Sequence, residues 1–335
     1  MRRRRWLALL VGSFLLACSR PGANERGSGR LHIALIPKGT THEFWKSVHA
    51  GAVKAARELD VDVTWKGPLK EDDLKSQIDL VQSFTAQRVS GIALAPLNAK
   101  ALVASVNGAT SAGVPVVIFD SALSGGTPVS FVATDNRAAG ALAAARLAEL
   151  SPGPGKIVVL RYQEGSASTH EREEGFLARL AARPDLVVVS ANQYGGATTE
   201  SAFEAGERLL IAQNAAGGGV TAVFTPNEST TFGMLLALQK AGLAGKLRFV
   251  GFDFSEKLSR ALGDGQIDAL VLQNPFNMGY LAVRSLVAHL RGRPVEPSID
   301  TGARLVDAKN LGDPAVQELI RPDLDKWLGS GAGER

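Results

Sequence analysis

The chain has 335 residues and a formal net charge of +4, with 45% hydrophobic residues and one cysteine. A chain of this length can bury a core that needs no crosslinks, and a single cysteine excludes an internal disulfide or a cysteine-based metal site. The consecutive arginines Arg2 to Arg5 supply four positive charges. The remainder is therefore close to neutral, and the net charge gives no support for nucleic-acid binding.

The first 17 residues have the pattern of an export signal. The arginines precede a short apolar run from Trp6 to Ala17, and Cys18 follows directly. Spanning a bilayer takes about 20 apolar residues, so this run is too short for a membrane helix. Leu15-Leu16-Ala17-Cys18 resembles the lipobox of bacterial lipoproteins, in which the cysteine is acylated and becomes the new N-terminus. The alternative is a plain cleaved signal without a lipid.

Residues 18–30 predict a flexible tether. Pro21, Gly22, Gly27, Ser28 and Gly29 interrupt this stretch, and no apolar period runs through it. A coil of this length spans roughly 20 Å. A domain that follows it would be held just off a membrane if Cys18 carries a lipid.

The first half of the remaining chain alternates strand and helix patterns. The predicted strands cover 31–36, 61–65, 91–95 and 115–119, and the predicted helices cover 43–59, 72–88 and 99–112. Thr40 to Glu43 fits a capping box in front of the first helix. Strands that alternate with helices indicate a parallel sheet covered on both faces.

The same alternation starts again in the second half. Its predicted strands cover 156–161, 186–190, 220–224 and 247–251, and its predicted helices cover 170–182, 198–212 and 229–241. In both halves an apolar strand ends in an aspartate, Asp120 in one and Asp253 in the other. Ligands of open α/β sheets bind beyond the carboxyl ends of strands, so two such sheets would enclose a site between domains.

Several segments, in this order and spacing, carry a resemblance to a known family. They are Ile36-Pro-Lys-Gly-Thr-Thr-His-Glu-Phe-Trp45, Gly113-Val-Pro-Val-Val-Ile-Phe-Asp-Ser121, Ala133-Thr-Asp-Asn136, His170-Glu-Arg-Glu-Glu-Gly-Phe176, Phe224-Thr-Pro-Asn-Glu228, Val250-Gly-Phe-Asp253 and Leu272-Gln-Asn-Pro275. From about Leu31 to Asp307 the chain resembles the periplasmic sugar-binding proteins of the ribose-binding type, which are solute receptors of ABC importers.

The resemblance implies an α/β fold, the type I periplasmic binding protein fold. Two Rossmann-like domains with parallel sheets would be joined by a three-segment hinge that crosses near Asp135, Asn274 and Thr301. The N-terminal lobe would comprise 31–134 plus 275–300, and the C-terminal lobe 135–274 plus 301–325. Closure about this hinge would trap a ligand between the lobes.

The resemblance also implies a set of ligand contacts. Phe44 and Trp45 would stack on the apolar faces of a sugar ring, and Tyr194 would add an aromatic wall. The polar contacts implied are the acceptors Asp120 and Asp253, the forked donor Arg172 and the amides Asn227 and Gln273. Hydroxyls both donate and accept hydrogen bonds, and sugar CH faces suit aromatic rings, so this set fits a polyol.

Two positions depart from the ribose pattern. Ser121 stands where that pattern has an arginine, and His42 stands where it has an asparagine. The Ile-Pro-Lys38 opening resembles instead the receptors for rhamnose and for the furanosyl autoinducer-2, in which the lysine contacts the ligand. The predicted pocket therefore combines features of the ribose-type receptors with features of the rhamnose and autoinducer-2 receptors, and ribose itself is not the expected ligand.

The same residues could instead have purely structural roles. Arg172 lies among glutamates that would suit a solvated helix face, and an aspartate after a strand is often a cap. Phe44 and Trp45 are adjacent, so we expect them not to face one core together. His42 and His49 are too far apart along a helix to share a metal, and we predict no metal site and no cofactor.

The function expected from the sequence is that of a monomeric, non-enzymatic receptor outside the cytoplasm. It would be anchored to a bacterial membrane through Cys18 and would deliver a monosaccharide or related polyol to an ABC permease. The open alternatives are a sensor that docks on a membrane kinase or chemoreceptor, and an exported enzyme, although no nucleophile–base set is recognisable. Repressors of this fold carry a helix-turn-helix, and we expect an export signal and tether in its place.

Overall fold

The computed structural model describes residues 29–329, so Cys18 and the predicted export signal lie outside the described residues. Two six-stranded sheets organise the described chain. In spatial order, the strands of the first sheet are β11 (Ser298–Asp300), β5 (Ser130–Ala133), β4 (Val116–Phe119), β3 (Gly91–Leu94), β1 (His32–Ile36) and β2 (Asp62–Trp65). All neighbouring pairs in it are parallel.

The second sheet repeats this arrangement. Its strands, in spatial order, are β12 (Ala303–Val306), β10 (Ala269–Gln273), β9 (Arg248–Phe252), β8 (Ala222–Phe224), β6 (Gly155–Arg161) and β7 (Leu186–Tyr194). Only β10 and β12 pair antiparallel. The predicted α/β class with two domains of mainly parallel sheets is therefore confirmed.

Helices cover both faces of each sheet. Those on the first sheet are α1 (Glu43–Leu59), α2 (Leu74–Ala86), α3 (Val103–Ser111) and α9 (Pro275–Leu290). Those on the second are α4 (Asn136–Leu150), α5 (Ala167–Leu180), α6 (Thr199–Ala212), α7 (Glu228–Lys240), α8 (Glu256–Gly263) and α10 (Pro314–Ile320). We call the first sheet with its helices the N-terminal lobe, and the second the C-terminal lobe. No helix within residues 29–329 combines the length and apolar character needed to cross a membrane.

The chain passes between the two sheets at three places. It leaves the first sheet after β5, near Asp135, and returns to the first lobe at Asn274, between β10 and α9. It passes back to the second sheet at residues 301–302, between β11 and β12. The carboxyl ends of β4 and β9 face the space between the lobes, where Asp120 and Asp253 line one cavity.

The end of the described chain corrects the predicted lobe limits. Helix α11 (Leu324–Leu328) packs on α1 of the N-terminal lobe, so residues 324 and 325 do not belong to the C-terminal lobe. The Arg57 guanidinium donates to the carbonyl oxygens of Lys326 and Trp327, at 3.1 and 3.0 Å, and lies over the Trp327 ring. This fourth crossing was not predicted because α11 has only five residues, too few to show an apolar period.

Several predicted limits also shift. Helix α2 begins at Leu74 rather than residue 72, because the Asp73 side chain accepts a hydrogen bond from the Ser76 N–H and caps the helix. Strand β7 extends to Tyr194 rather than to residue 190. The predicted capping box of α1 is wrong: the N-cap is His42, and its side chain makes no capping hydrogen bond.

A pair of glycines lets two helices approach closely in each lobe. In the N-terminal lobe, a Cβ on Gly51 of α1 would lie 1.8 Å from the Phe276 oxygen at the start of α9. In the C-terminal lobe, a Cβ on Gly140 of α4 would lie 1.9 Å from the Arg172 oxygen of α5. The second contact fixes the backbone that carries Arg172, so packing of the helices positions a predicted site residue.

Candidate functional site

A small cavity lies between the lobes and brings most of the predicted site residues together. Its volume is about 30 Å³. The lining residues are Lys38, His42, Phe44, Trp45, Glu71, Asp120, Tyr162, Ser168, Thr169, Arg172, Asn227, Glu228, Asp253 and Gln273. This inner cavity has room for one or two water molecules but not for a monosaccharide. The lobes must therefore separate before a ring can enter.

Asp120 and Asp253 occupy equivalent places in the two lobes. Both have left-handed backbones, with φ of 61° and 65°. The Asp120 N–H donates to the Val132 carbonyl, and the Asp253 N–H donates to the Val271 carbonyl, both at 3.0 Å. Aspartate tolerates this conformation better than most residues with a Cβ. The bend turns both carboxylates into the cleft at the ends of their strands.

Lys38 connects the N-terminal carboxylate to the other lobe. Its Nζ lies 2.7 Å from Asp120 Oδ2 and donates to Ser168 Oγ at 3.0 Å. Ser121 does not line the inner cavity; its hydroxyl is buried and accepts a hydrogen bond from the Ser168 N–H at 3.0 Å. Lys38 thus lies at the site, whereas Ser121 contributes to the contact between the lobes.

Arg172 is buried in the C-terminal lobe and held there by several contacts. It is 2% exposed, and its Nε donates to Asn136 Oδ1 at 2.8 Å. One terminal nitrogen donates to the Pro226 carbonyl at 2.9 Å and lies 3.8 Å from Asp253 Oδ2. The guanidinium also lies over the Phe252 ring. The solvated-helix interpretation of Arg172 is therefore wrong, because the side chain points into the lobe interface.

Asp253 is held by neighbours on three elements. Gln273 Nε2 donates to Oδ1 at 2.7 Å, and the Glu228 N–H donates to Oδ2 at 3.0 Å. Burial raises the pKa of Asp253, while Arg172 and the Gln273 amide oppose the increase. The carboxylate is therefore oriented before any ligand arrives, which lowers the entropy cost of binding.

Glu71 is a site residue that the sequence analysis did not identify. Its Oε1 accepts hydrogen bonds from Trp45 Nε1 at 2.6 Å and from His42 Nδ1 at 3.0 Å, and its Oε2 accepts one from the Tyr162 hydroxyl. Gln163 Nε2 donates to the Glu71 carbonyl at 3.0 Å. Tyr162 and Gln163 belong to the C-terminal lobe, so Glu71 connects the lobes as well as the site.

The His42–Glu71 pair is ionised. Burial disfavours the imidazolium, but the Glu71 carboxylate outweighs it and raises the pKa of His42 to about 9. Burial likewise disfavours the carboxylate, but His42 and then Lys38 lower the pKa of Glu71 to about 2. A histidine in place of the asparagine of the ribose pattern therefore adds a positive charge to the site.

The aromatic residues lie as follows. Phe44 and Trp45 are both buried in the N-terminal lobe, and their rings meet edge to face at 4.9 Å. The expectation that they would not face one core together is wrong, because the first turn of α1 is covered by both the sheet and the opposite lobe. Tyr162, which was not predicted, is 1% exposed at the inner cavity.

Tyr194 is not brought to the inner cavity. It ends β7, which is the edge strand of the second sheet, and 46% of it is exposed. The prediction of an aromatic wall at this position needs correction, because β7 continues to Tyr194 along the edge of the sheet, paired with Arg161 of β6. The predicted end at residue 190 would have left Tyr194 in a loop free to turn inward.

Asn227 lies at the inner cavity, but its side chain caps α7. Oδ1 accepts from the Thr230 N–H at 3.3 Å, and Nδ2 donates to Ser229 Oγ at 3.1 Å. A contact with a ligand at this residue stays a prediction. Within residues 29–329, no group of three histidine, cysteine or acidic side chains is placed to hold a metal ion.

The residues missed by sequence reasoning share one property. Glu71, Tyr162, Ser168, Thr169 and Glu228 all lie in or beside loops that follow strands, or in the first turn of a helix. Their position at the carboxyl edge of a strand was the available signal. It was sufficient for Asp120 and Asp253, which end apolar strands directly, but weak for Glu71, which lies six residues after β2.

Two lobes of mainly parallel sheets with charged and aromatic side chains between them define a type I periplasmic binding protein. The chain belongs to this family: the periplasmic binding protein domain matches residues 33–294. The ribose import binding protein of Escherichia coli K12 is 28% identical over 306 residues, which cover 90% of this chain and 97% of that protein. The resemblance to ribose-type sugar-binding proteins of ABC transporters is therefore confirmed.

Solved structures agree with this assignment. The periplasmic component of an ABC-type sugar transport system from Hahella chejuensis has 36% identity and a TM-score of 0.79, covering 82% of this chain and 99% of that one. A solute-binding protein of an ABC transporter from Agrobacterium vitis, with bound D-fucose, has 34% identity and a TM-score of 0.82, covering 87% and 100%. Membership of this family implies a location outside the cytoplasm.

Proposed function

We propose that this protein captures a neutral monosaccharide or related polyol between its lobes and delivers it to an ABC permease. The observation that carries the proposal is the pairing of charges in the inner cavity. Lys38 is paired with Asp120, His42 with Glu71, and Arg172 lies beside Asp253. Each cation already has a carboxylate, so the cavity has no free positive charge for a phosphate or a carboxylate ligand.

The same groups suit hydroxyls. Carboxylates accept hydrogen bonds from sugar hydroxyls, while the lysine and guanidinium groups donate to them. Phe44 and Trp45 lie beside these polar groups and offer an apolar surface for CH faces. The relatives support the same class, since one is named for ribose import and another structure holds D-fucose.

Hydrogen bonds between the lobes support a mechanism of opening and closing. Lys38 donates to Ser168, and the Ala99 N–H donates to the Gly165 carbonyl at 2.9 Å. The Glu256 N–H at the start of α8 donates to Glu43 Oε2 at 3.2 Å. These bonds are local and polar, so they can break as the lobes separate and reform around a ligand.

The anchor and the partner belong to the same proposal. The predicted lipobox supports acylation of Cys18, and the residues before Leu31 would let the lobes remain near a membrane permease. Mass spectrometry of the purified protein tests the anchor, since a diacylglycerol and an amide-linked chain add a characteristic mass to the peptide that starts at Cys18. An unmodified peptide starting elsewhere would overturn the anchor but not the binding function.

Ligand binding is tested by thermal denaturation against a panel of neutral sugars. D-ribose, D-allose, D-arabinose, D-fucose, D-tagatose, myo-inositol and rhamnose form the neutral set, and glucuronate and ribose 5-phosphate form the anionic set. A ligand at 100 times its Kd stabilises the folded state by about 2.7 kcal/mol. We expect at least one neutral compound to raise the Tm and neither anion to do so. No shift with any neutral compound would contradict sugar binding, and a shift with an anion alone would contradict the neutral class.

A further inference from the structure

Among the described residues, three side-chain oxygens at the inner cavity are buried without a hydrogen-bond donor, and one of them, Asp120 Oδ2, is paired with Lys38 Nζ at 2.7 Å. Within residues 29–329, the other two have neither a donor nor an ion-pair partner. They are Glu228 Oε2 and Gln273 Oε1. Buried polar atoms are nearly always hydrogen-bonded, so two orphaned oxygens at one cavity indicate a partner outside the chain, either water that fits the cavity or a ligand group that replaces it. The resemblance already assigns Gln273 to the ligand, but nothing assigns Glu228.

The structure fixes the position of Glu228 from both lobes. It is the first residue of α7, and its N–H donates to Asp253 Oδ2, which turns the side chain toward the same cavity. Across the cleft, the carboxylate interacts with the Phe44 N–H in the first turn of α1 and with the charge of His42. Helix α1 lacks a side-chain cap of its own. The Glu228 carboxylate interacts with this helix end across the cleft, and its Oε2 is left at the cavity without a donor from the described residues.

The electrostatics of Glu228 match an acceptor that awaits a donor. Burial raises the pKa of Glu228 to about 7, while the positive charge of His42 opposes the increase. It is also a fourth carboxylate in a cavity with three cations, all of which already have an acidic neighbour. A hydroxyl donor would satisfy this oxygen, whereas an anion there would repel it.

Building on the proposed function, we propose that Glu228 binds the sugar directly. Its Oε2 accepts a hydrogen bond from one ligand hydroxyl, and the residue selects for a hydroxyl at that ring position. It also selects against ligands with a carboxylate or phosphate there. A buried polar group of this kind discriminates strongly between ligands, because a ligand that lacks the matching hydroxyl leaves the group buried and unpaired.

The competing interpretation is that Glu228 only holds the closed lobes together through α1. The two interpretations differ in the pattern of affinity loss. A residue that touches one hydroxyl affects binding only where that hydroxyl is present. A residue that stabilises closure affects every ligand by the same factor.

The experiment measures Kd by isothermal titration calorimetry on the purified protein. The sugar that gives the largest thermal shift among the neutral set is compared with its series of monodeoxy analogues. Wild type, Glu228→Gln and Glu228→Ala are titrated with each compound. The matched control is Glu200→Gln, which removes an exposed carboxylate from the first turn of α6. Circular dichroism and Tm confirm that each variant is folded, and the isosteric Glu228→Gln serves if Glu228→Ala does not fold.

We expect wild type to lose about 10- to 100-fold in affinity for the deoxy analogue that lacks the hydroxyl bound by Glu228. Glu228→Gln should bind the parent sugar more weakly by a similar factor and should no longer discriminate at that position. Glu200→Gln should behave as wild type.

The inference would be overturned if Glu228→Gln bound the parent sugar with wild-type affinity. It would also be overturned if Glu228→Gln lost affinity, relative to wild type, by the same factor for the parent sugar and for every deoxy analogue. Either result would leave sugar binding intact. Failure of wild type to bind any neutral sugar would instead overturn the proposed function together with this inference.

Discussion

Asp120 and Asp253 show how one residue can serve both the backbone and the proposed ligand site. Each ends a buried strand in a left-handed conformation, with φ of 61° and 65°, and carries its carboxylate into the cleft. Most residues with a Cβ are strained there by about 1–2 kcal/mol, and asparagine and aspartate less so. Charge and backbone preference can therefore be separated by choosing the substitution.

Asp120→Asn removes the charge that pairs with Lys38 and keeps the backbone preference. We expect a loss of sugar affinity of at least about tenfold, because a hydrogen bond to a charged group is replaced by a neutral one. The free energy of unfolding should fall less than in Asp120→Ala, which adds backbone strain of about 1 kcal/mol. Calorimetric titration and urea denaturation measure the two effects. Equal affinity in Asp120→Asn and wild type would contradict a ligand role for the carboxylate.

Arg172→Ala is expected to affect folding as well as binding. The guanidinium is buried and donates to Asn136 and Pro226, so its removal leaves Asp253 without its cation inside the lobe interface. Breaking a buried ion pair in this way costs about 3–5 kcal/mol. Urea denaturation should show that loss in the absence of sugar, and an unchanged free energy of unfolding would contradict it.

The His42–Glu71 pair makes stability depend on pH. The pKa of His42 is raised from 6.5 to about 9, so its contribution is complete below pH 6.5 and is lost as pH rises through 9. The pKa of Glu71 is lowered from 4.5 to about 2, so its contribution is complete above pH 4.5 and is lost as pH falls from 4.5 to 2. Burial raises the pKa of Glu228 from 4.5 to about 7, so its contribution to the free energy of unfolding also falls as pH rises from about 4.5 to 7.

We therefore expect the free energy of unfolding to fall by about 2 kcal/mol between pH 6.5 and 9. His42→Gln should remove most of this fall and leave the part below pH 7 that belongs to Glu228 and to Glu173, since burial raises the pKa of both to about 7. Urea denaturation at pH 6, 7, 8 and 9 measures both proteins. If the free energy of unfolding of His42→Gln fell with pH as steeply as that of wild type, a group other than His42 would have to titrate in this range.

At the scale of elements, the two lobes repeat one device, a pair of helices in contact through glycines. Gly51 and Gly279 join α1 to α9, and Gly140 and Gly175 join α4 to α5. The second pair lies directly behind Arg172, because the Arg172 carbonyl is the atom that a Cβ on Gly140 would strike. Helix packing and the proposed ligand contact of Arg172 are therefore coupled in the C-terminal lobe.

Gly140→Ala should test this coupling. The added methyl would lie 1.9 Å from a backbone oxygen, so α4 and α5 must move apart. Overpacking typically costs about 1–3 kcal/mol, and we expect a loss near the upper end together with weaker sugar binding. Gly108→Ala in α3 is the matched control, since nothing lies within 4 Å of its added Cβ. It should be neutral or stabilising by up to about 1 kcal/mol. Equal Tm values for both variants would contradict the close approach.

Most of the elements predicted from the sequence have a distinct apolar pattern, although β10 and α8 also have one and were missed. Strands that end in Asp120 and Asp253 are short apolar runs, and α1 has one apolar stripe, so both were identified. Helix α4 was not, because alanines lie all around it and show no period. Strand β12 was not, because it is mostly exposed and pairs only with β10. Glu71 escaped notice because its role depends on the opposite lobe, which local pattern does not contain.

At the scale of the whole molecule, the chain joins the lobes a fourth time near its end. Helix α10 packs in the C-terminal lobe through Val316 and Ile320. Residues 321–323 then cross to α11, which packs on α1 of the N-terminal lobe. We call residues 321–328 the C-terminal strap. Since it connects both lobes at the side of the hinge, it should limit how far they open.

Trp327 holds the strap to the N-terminal lobe. Its ring contacts Phe276, with centroids 6.4 Å apart, and lies beneath the Arg57 guanidinium. Trp327→Ala removes both contacts, so the strap should detach and the sugar-free lobes should open further. Trp65→Ala is the control, because Trp65 stacks on His49 within the N-terminal lobe and does not line the inner cavity.

Small-angle X-ray scattering and stopped-flow binding measure the consequence. We expect a larger radius of gyration for sugar-free Trp327→Ala than for wild type or Trp65→Ala, and the same radius for all three with saturating sugar. Association should be faster in Trp327→Ala, because a larger fraction of molecules is open and able to admit the ligand. An unchanged radius and rate in a folded Trp327→Ala would show that the three hinge segments alone set the opening. A larger radius that persists with sugar would show instead that the strap is needed for closure itself.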